Sequence, residues 1–201
     1  MKNRKRNRMI GFDYAANNLY FVTNCVKNNW CCLGRVIPVG TVGTGRDLSV
    51  HHAAHHHAAH HDLGNIHPAH HDAGVYSDEI EYKVALNPCG EIVEERINWL
   101  KNQYQYVDIH NYVVMPNHFH IIIEIDSQKV DENVKIKSLS GLMGALQSTS
   151  SKQIHELGFK DFAWHRSFHD HIIRNEKSYH PIFNYISNNP KNWAKDRFYS
   201  K

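Results

Sequence analysis

The chain has 201 residues, 41% of them hydrophobic, with a net charge of +3 and 18 histidines. That suffices for one ordinary domain plus an insertion. No run approaches the roughly 18 apolar residues of a membrane span, and no apolar stretch follows the basic start as a signal peptide requires, so a cytoplasmic protein is expected. Cys25, Cys31, Cys32 and Cys89 lack paired Cys-x-x-Cys spacing, which argues against a zinc knuckle or a disulfide framework and for structural thiols.

Lys2, Arg4, Lys5, Arg6 and Arg8 crowd the first eight residues. Such an arm suits a phosphate backbone, each contact adding a salt-sensitive, sequence-independent term, and it equally suits a solvated tail. Leu19 to Val26 reads as a first strand, and Trp30 to Ile37 as its partner. Residues 38–76 differ in kind: alanine and histidine alternate in blocks, and His57–Ile66 recurs as the near-copy His67–Tyr76. Too few large apolar side chains are present to offset ordering entropy, so a solvated insertion loop is expected, with adventitious binding of zinc, nickel or copper as the sharper alternative. Asn87 and Pro88 start a helix as N-cap and first helical residue. The strands Tyr106–Met115 and His118–Ile125 are joined by a tight Pro116-Asn117 turn and form an antiparallel pair. Ser138 opens a long helix, apolar at Leu139, Leu142, Met143, Leu146, Ile154 and Leu157. Phe168 to Arg174 is a further strand. Residues 176–189 form a last helix that stops before Pro190. This order predicts an α+β fold, an antiparallel sheet with helices on one face.

Strand periodicity points His118 and His120 to one face, while Phe119 and Ile121 enter the opposite layer. Two imidazoles on a rigid strand make half of a divalent-metal site. In the last helix Tyr179, Ile182, Phe183 and Ile186 form a buried stripe, leaving Tyr185 on a flank with Asn189 one turn further on. A phenol and a carboxamide thus project together, with Asn188 a less well placed neighbour. His169-Asp170-His171 is a second alternating pair, read as a polar strand face near the substrate. Trp164, Arg166 and Arg174 are candidates for stacking a base and holding phosphates.

Met-Pro-Asn-His-Phe-His-Ile-Ile-Ile at 115–123, Trp-His-Arg-Ser-Phe-His-Asp-His-Ile-Ile-Arg at 164–174 and Asn-Tyr-Ile-Ser-Asn-Asn-Pro at 184–190 resemble, in this order, the single-tyrosine HUH transposases. The chain is most similar to the REP-associated tyrosine transposases, over residues 10–35 and 88–199. His165 departs from the family, which often carries Gln there. The resemblance implies a ferredoxin-like or RRM-like sheet with His118 and His120 on a central strand. It divides the chain into a basic arm, 1–9, and an HUH domain, 10–201, carrying the insertion. It implies a single-strand endonuclease and strand transferase, with Tyr185 as nucleophile and a 5′-phosphotyrosine intermediate. His118, His120 and Asn189 would hold Mg²⁺ or Mn²⁺, with Arg4, Lys5, Arg6, Trp164, Arg166 and Arg174 on DNA. A closed zinc site wants a fourth protein ligand, for which no spacing signal exists. The expected partner is single-stranded or hairpin DNA at repeats, with the protein monomeric or homodimeric. The competing expectation is a non-catalytic single-strand binding module on an RRM-like sheet.

Overall fold

The structure is a computed structural model that describes residues 13–39 and 80–199. Elements follow as β1 (Asn18–Cys25), β2 (Gly34–Val39), β3 (Glu81–Leu86), α1 (Pro88–Gln103), β4 (Val107–Val114), β5 (His118–Ile125), α2 (Leu139–Glu156), β6 (His169–Ile173) and α3 (Glu176–Ser187). Four strands make one antiparallel sheet in the order β4-β5-β1-β6, while β2 and β3 pair separately. With that side pair set apart, the chain runs βαββαβ and the first strand lies between the third and fourth, which is the ferredoxin-like topology. The arm with Arg4, Lys5 and Arg6 lies outside the described residues, as does the insertion apart from Pro38 and Val39.

Local chemistry sets the element starts. The Asn87 side-chain oxygen accepts from the backbone N–H groups of Cys89 and Gly90 at 3.0 and 3.1 Å, and its amide donates to the Cys32 carbonyl. Pro88 follows at the position where a missing N–H costs nothing. A side chain at Gly90 would sit 2.0 Å from the Leu33 carbonyl oxygen, so only glycine lets α1 approach that strand-entry segment. Ser138 caps α2 through the Gly141 N–H, as its position before the apolar periodicity predicts.

Both sheet faces are covered. Tyr20, Val22, Phe119, Ile121, Ile123 and Ile125 join α1 and α2 in the main core. Ile122 and Ile173 point the other way, onto Ile186 of α3, with Leu19, Phe21, Ile182 and Phe183 around them. The expectation of helices on one face therefore holds for α1 and α2 and fails for α3. An irregularity of register between Ile109 and Asn111 helps hold α3: Asn111 donates to the Phe183 carbonyl and Ser187 Oγ, and His110 meets the Tyr179 hydroxyl at 3.3 Å. The bulge lets consecutive polar side chains serve one helix.

Two further expectations are corrected. The segment after β1 is not its partner, because β5 and β6 already occupy both edges of β1; β2 starts at Gly34 and pairs with β3. Leu157, read as the end of the apolar stripe of α2, caps the helix and is exposed.

Candidate active site

Strand β5 is buried along nearly its whole length, and its alternation sends His118 and His120 to the face that α3 covers. Both imidazoles are inaccessible to solvent, and their Nε2 atoms stand 3.1 Å apart. Each ring is held from behind. His118 Nδ1 is 2.9 Å from Asn117 Oδ1, an acceptor, so that nitrogen carries the proton and Nε2 keeps its lone pair. His120 Nδ1 is 2.8 Å from Thr23 Oγ1 on the neighbouring strand, where Thr23 is its register partner. Asn117 is fixed in turn, donating to the carbonyls of Asn29 and Phe198. Burial pushes the His118 ring down to about 4, with Arg197 adding to the fall and Asp196 opposing it. Burial, then His118 and Arg197, push His120 well below the ordinary range. Two neutral imidazoles at neutral pH are what a cation needs as ligands.

Helix α3 ends at Ser187, and the Asn189 N–H turns back to the Ile186 carbonyl at 3.2 Å. That tightened last turn sinks Asn189 to 1% exposure. Its Nδ2 lies 3.3 Å from Asp196 Oδ2, while its buried Oδ1 has no hydrogen-bond partner. A buried carbonyl oxygen without a donor is costly, and a bound cation removes that cost. Tyr185, on the exposed flank of α3, brings its hydroxyl to 3.3 Å from His120 Nε2 and 3.4 Å from Asp196 Oδ2. Its ring meets His120 edge-on with centroids 5.1 Å apart. Burial and the nearby Asp196 carboxylate raise the phenol above its usual value. The phenol is therefore protonated here unless a cation and a proton acceptor act on it.

Asp196 is the residue that sequence reasoning missed. Ligand-capable atoms of His118, His120 and Asp196 all lie within 4.8 Å of one another, the cluster of this kind among the described residues. Asp196 follows the short turn Trp193–Lys195, and its other carboxylate oxygen accepts from the Phe198 N–H at 2.7 Å. No periodicity leads to it; an acid shortly after the Pro190 helix stop is the faint signal available. Two imidazoles and a carboxamide oxygen, with the Asp196 carboxylate beside them, fit a divalent ion such as Mn²⁺ or Mg²⁺.

The remaining candidates are scattered. Trp164 is not at the site: it is buried in the main core, donates its indole N–H to Ser150 Oγ at 2.9 Å and packs edge-on against Phe119 and Phe162. Phe119 faces α1 and α2, so the Trp164 ring lies on the wrong side of the sheet to stack a base beside Tyr185. Arg166 and Arg174 are exposed, the latter just past β6. His169 and His171 are exposed and pair with Thr23 and Phe21, extending the imidazole face toward the β6 edge. Tyr179 turns its hydroxyl to His110 rather than to the imidazole pair.

No family model matches the chain. It is 26% identical over 210 residues to an uncharacterized protein of Haemophilus influenzae, covering 98% of this chain and 93% of that one. A solved structure of a REP-associated tyrosine transposase bound to a REP hairpin aligns with a TM-score of 0.49 and 15% identity, over 94% of this chain and 74% of that one.

Proposed function

We propose that the chain is a metal-dependent single-strand DNA endonuclease and strand transferase acting on hairpin or repeat DNA, in transposition or repeat processing. The observation that carries the reading is the 3.3 Å approach of the Tyr185 hydroxyl to the imidazole pair. The motif resemblance of residues 115–123, 164–174 and 184–190 supports it independently. His118, His120 and Asn189 would hold the divalent ion, with Asp196 beside them; bound there, the ion supplies Lewis acidity to the scissile phosphate.

Tyr185 Oη attacks the phosphorus, the bond to the 3′ oxygen breaks, and the products are a 5′-phosphotyrosine and a free 3′-hydroxyl. The phenolic proton passes to Asp196 Oδ2, 3.4 Å away and in this reading not a ligand of the ion, and the leaving 3′ oxygen takes a proton from water. The covalent bond conserves the phosphodiester energy, so a 3′-hydroxyl of another strand can displace Tyr185 without ATP. Thr23 and Asn117 keep both rings in orientation throughout. The partly exposed phenol suits a nucleophile that must meet a strand, whereas a packing tyrosine would be buried.

The test is a labelled DNA hairpin with single-stranded arms, incubated with the chain and Mn²⁺. Denaturation-resistant adducts are expected with the wild type, none with Tyr185→Phe or after chelation, and hairpin binding by Tyr185→Phe should stay within about twofold. Adducts that persist in Tyr185→Phe place the nucleophile elsewhere. Binding by the wild type with no adduct under any metal favours the non-catalytic module.

A further inference from the structure

Beside the imidazole pair lies a cavity of about 510 Å³ that the cleavage chemistry does not use. The small sheet lines it with Arg35 and Tyr82, the segment after α3 with Lys191, Trp193 and Tyr199, and Pro116 of the β4–β5 turn completes it. Its size falls in the range of small-molecule and nucleotide pockets. It shares walls with the site: the Trp193 ring lies 6.0 Å from the His118 ring, Pro116 stands two residues before His118, and Pro190 follows Asn189. Three aromatic rings border one space, and Trp193 and Tyr199 already pack edge-on at 5.3 Å. Tyr82 and Tyr199 are 38% and 42% exposed, far from the burial a packing tyrosine reaches. The lining carries two cationic side chains and no carboxylate.

We infer that this cavity is a nucleobase subsite, which takes one unstacked base of the strand next to the scissile phosphate. The inference rests on the endonuclease reading for its location, and on the cavity's own lining for its ligand. Rings offer a π-face to any base, and the cations match the flanking phosphates, the pairing that single-strand binders use. An aliphatic ligand would not call for the two cations, and a free anion would not call for three rings. Because the small sheet supplies one part of the lining, the β2–β3 pair helps to set which nucleotide is drawn out of the stack at the cut.

The test measures binding separately from cleavage. The full chain carrying Tyr185→Phe is titrated into a fluorescent DNA hairpin with single-stranded arms, and into a set in which one arm nucleotide at a time is abasic. One abasic position should weaken binding about 5- to 150-fold, the range of a lost base–aromatic stack. Adding Tyr82→Ala should lower affinity for the intact hairpin by a similar factor and cause no further loss at that abasic position, whereas Tyr82→Phe should bind as the parent does. Tyr199→Ala, outside the β2–β3 pair, should show the same coupling and covers the case in which Tyr82→Ala disturbs the small sheet. Arg35→Ala should weaken all hairpins alike and reduce the salt dependence by about one ion. Unchanged affinity in both tyrosine variants, or losses that simply add to those of every abasic position, overturns the subsite. Coupling without wild-type adducts leaves the subsite standing and removes the endonuclease reading; adducts without coupling do the reverse.

Discussion

The two histidine rings depend on groups set behind them. Thr23 Oγ1 and Asn117 Oδ1 bind the inner nitrogens of the two histidines, so both outer nitrogens are presented to one point. Partners of this kind typically account for 10–100-fold in metal affinity. Thr23→Val should therefore weaken Mn²⁺ binding by roughly that factor and Thr23→Ser should restore it, as read by Mn²⁺ titration; an unchanged affinity would mean that packing alone orients His120. Proton linkage gives a second expectation. His118 titrates near 4 in the folded chain and near 6.5 when unfolded. Above 6.5 both states are neutral and the ring adds nothing. Below it the unfolded state binds more protons, so stability of the metal-free protein falls as pH drops from 6.5 toward 4. The slope approaches about 1.4 kcal/mol per pH unit for one such ring, with His120 acting in the same direction. Urea unfolding at pH 7 and pH 5 checks this, and His118→Gln should show a smaller loss; equal losses in both proteins would assign the effect to other groups.

At the scale of elements, the main sheet turns one face to the core under α1 and α2 and the other to α3 and the imidazole pair. Phe119, between the two histidines, meets Trp164, which ties the segment before β6 to α2 through Ser150. Trp164→Ala should thus cost about 3–5 kcal/mol by opening the core, while Trp164→Phe, measured per folded molecule, should leave hairpin affinity unchanged. Loss of affinity in a fully folded Trp164→Phe would return the residue to the DNA surface. Its misreading has a plain cause: flanking His165 and Arg166 make the stretch look solvated, and the bridge from Val26 to Trp164 is a non-local pairing. Signals confined to a few residues were legible. The Asn87-Pro88 start, the Pro116-Asn117 turn and the α3 stop before Pro190 all follow from backbone chemistry within one turn. The pairing of β2 with β3 was not, since a strand's partner is decided by which edges remain open after the rest has folded. Asp196 was illegible for a similar reason, because it arrives from a short turn with no period of its own.

For the whole molecule, the ferredoxin-like core fixes the imidazoles on a central strand, and α3, on the face opposite α1 and α2, brings the phenol to them. Neither layer makes the candidate site alone. Helix α3 is held to the sheet by Ile122, Ile173 and Ile186 and by the Asn111 bonds, so the separation of Tyr185 from His120 is set by packing over its full length. The most direct measurement is peptide mapping by mass spectrometry after the wild-type chain has cleaved a single-stranded hairpin arm in Mn²⁺. One peptide should carry the DNA, joined through its 5′-phosphate to Tyr185. Cleavage with no linked peptide, or a link at Tyr179 or any other residue, would contradict the account.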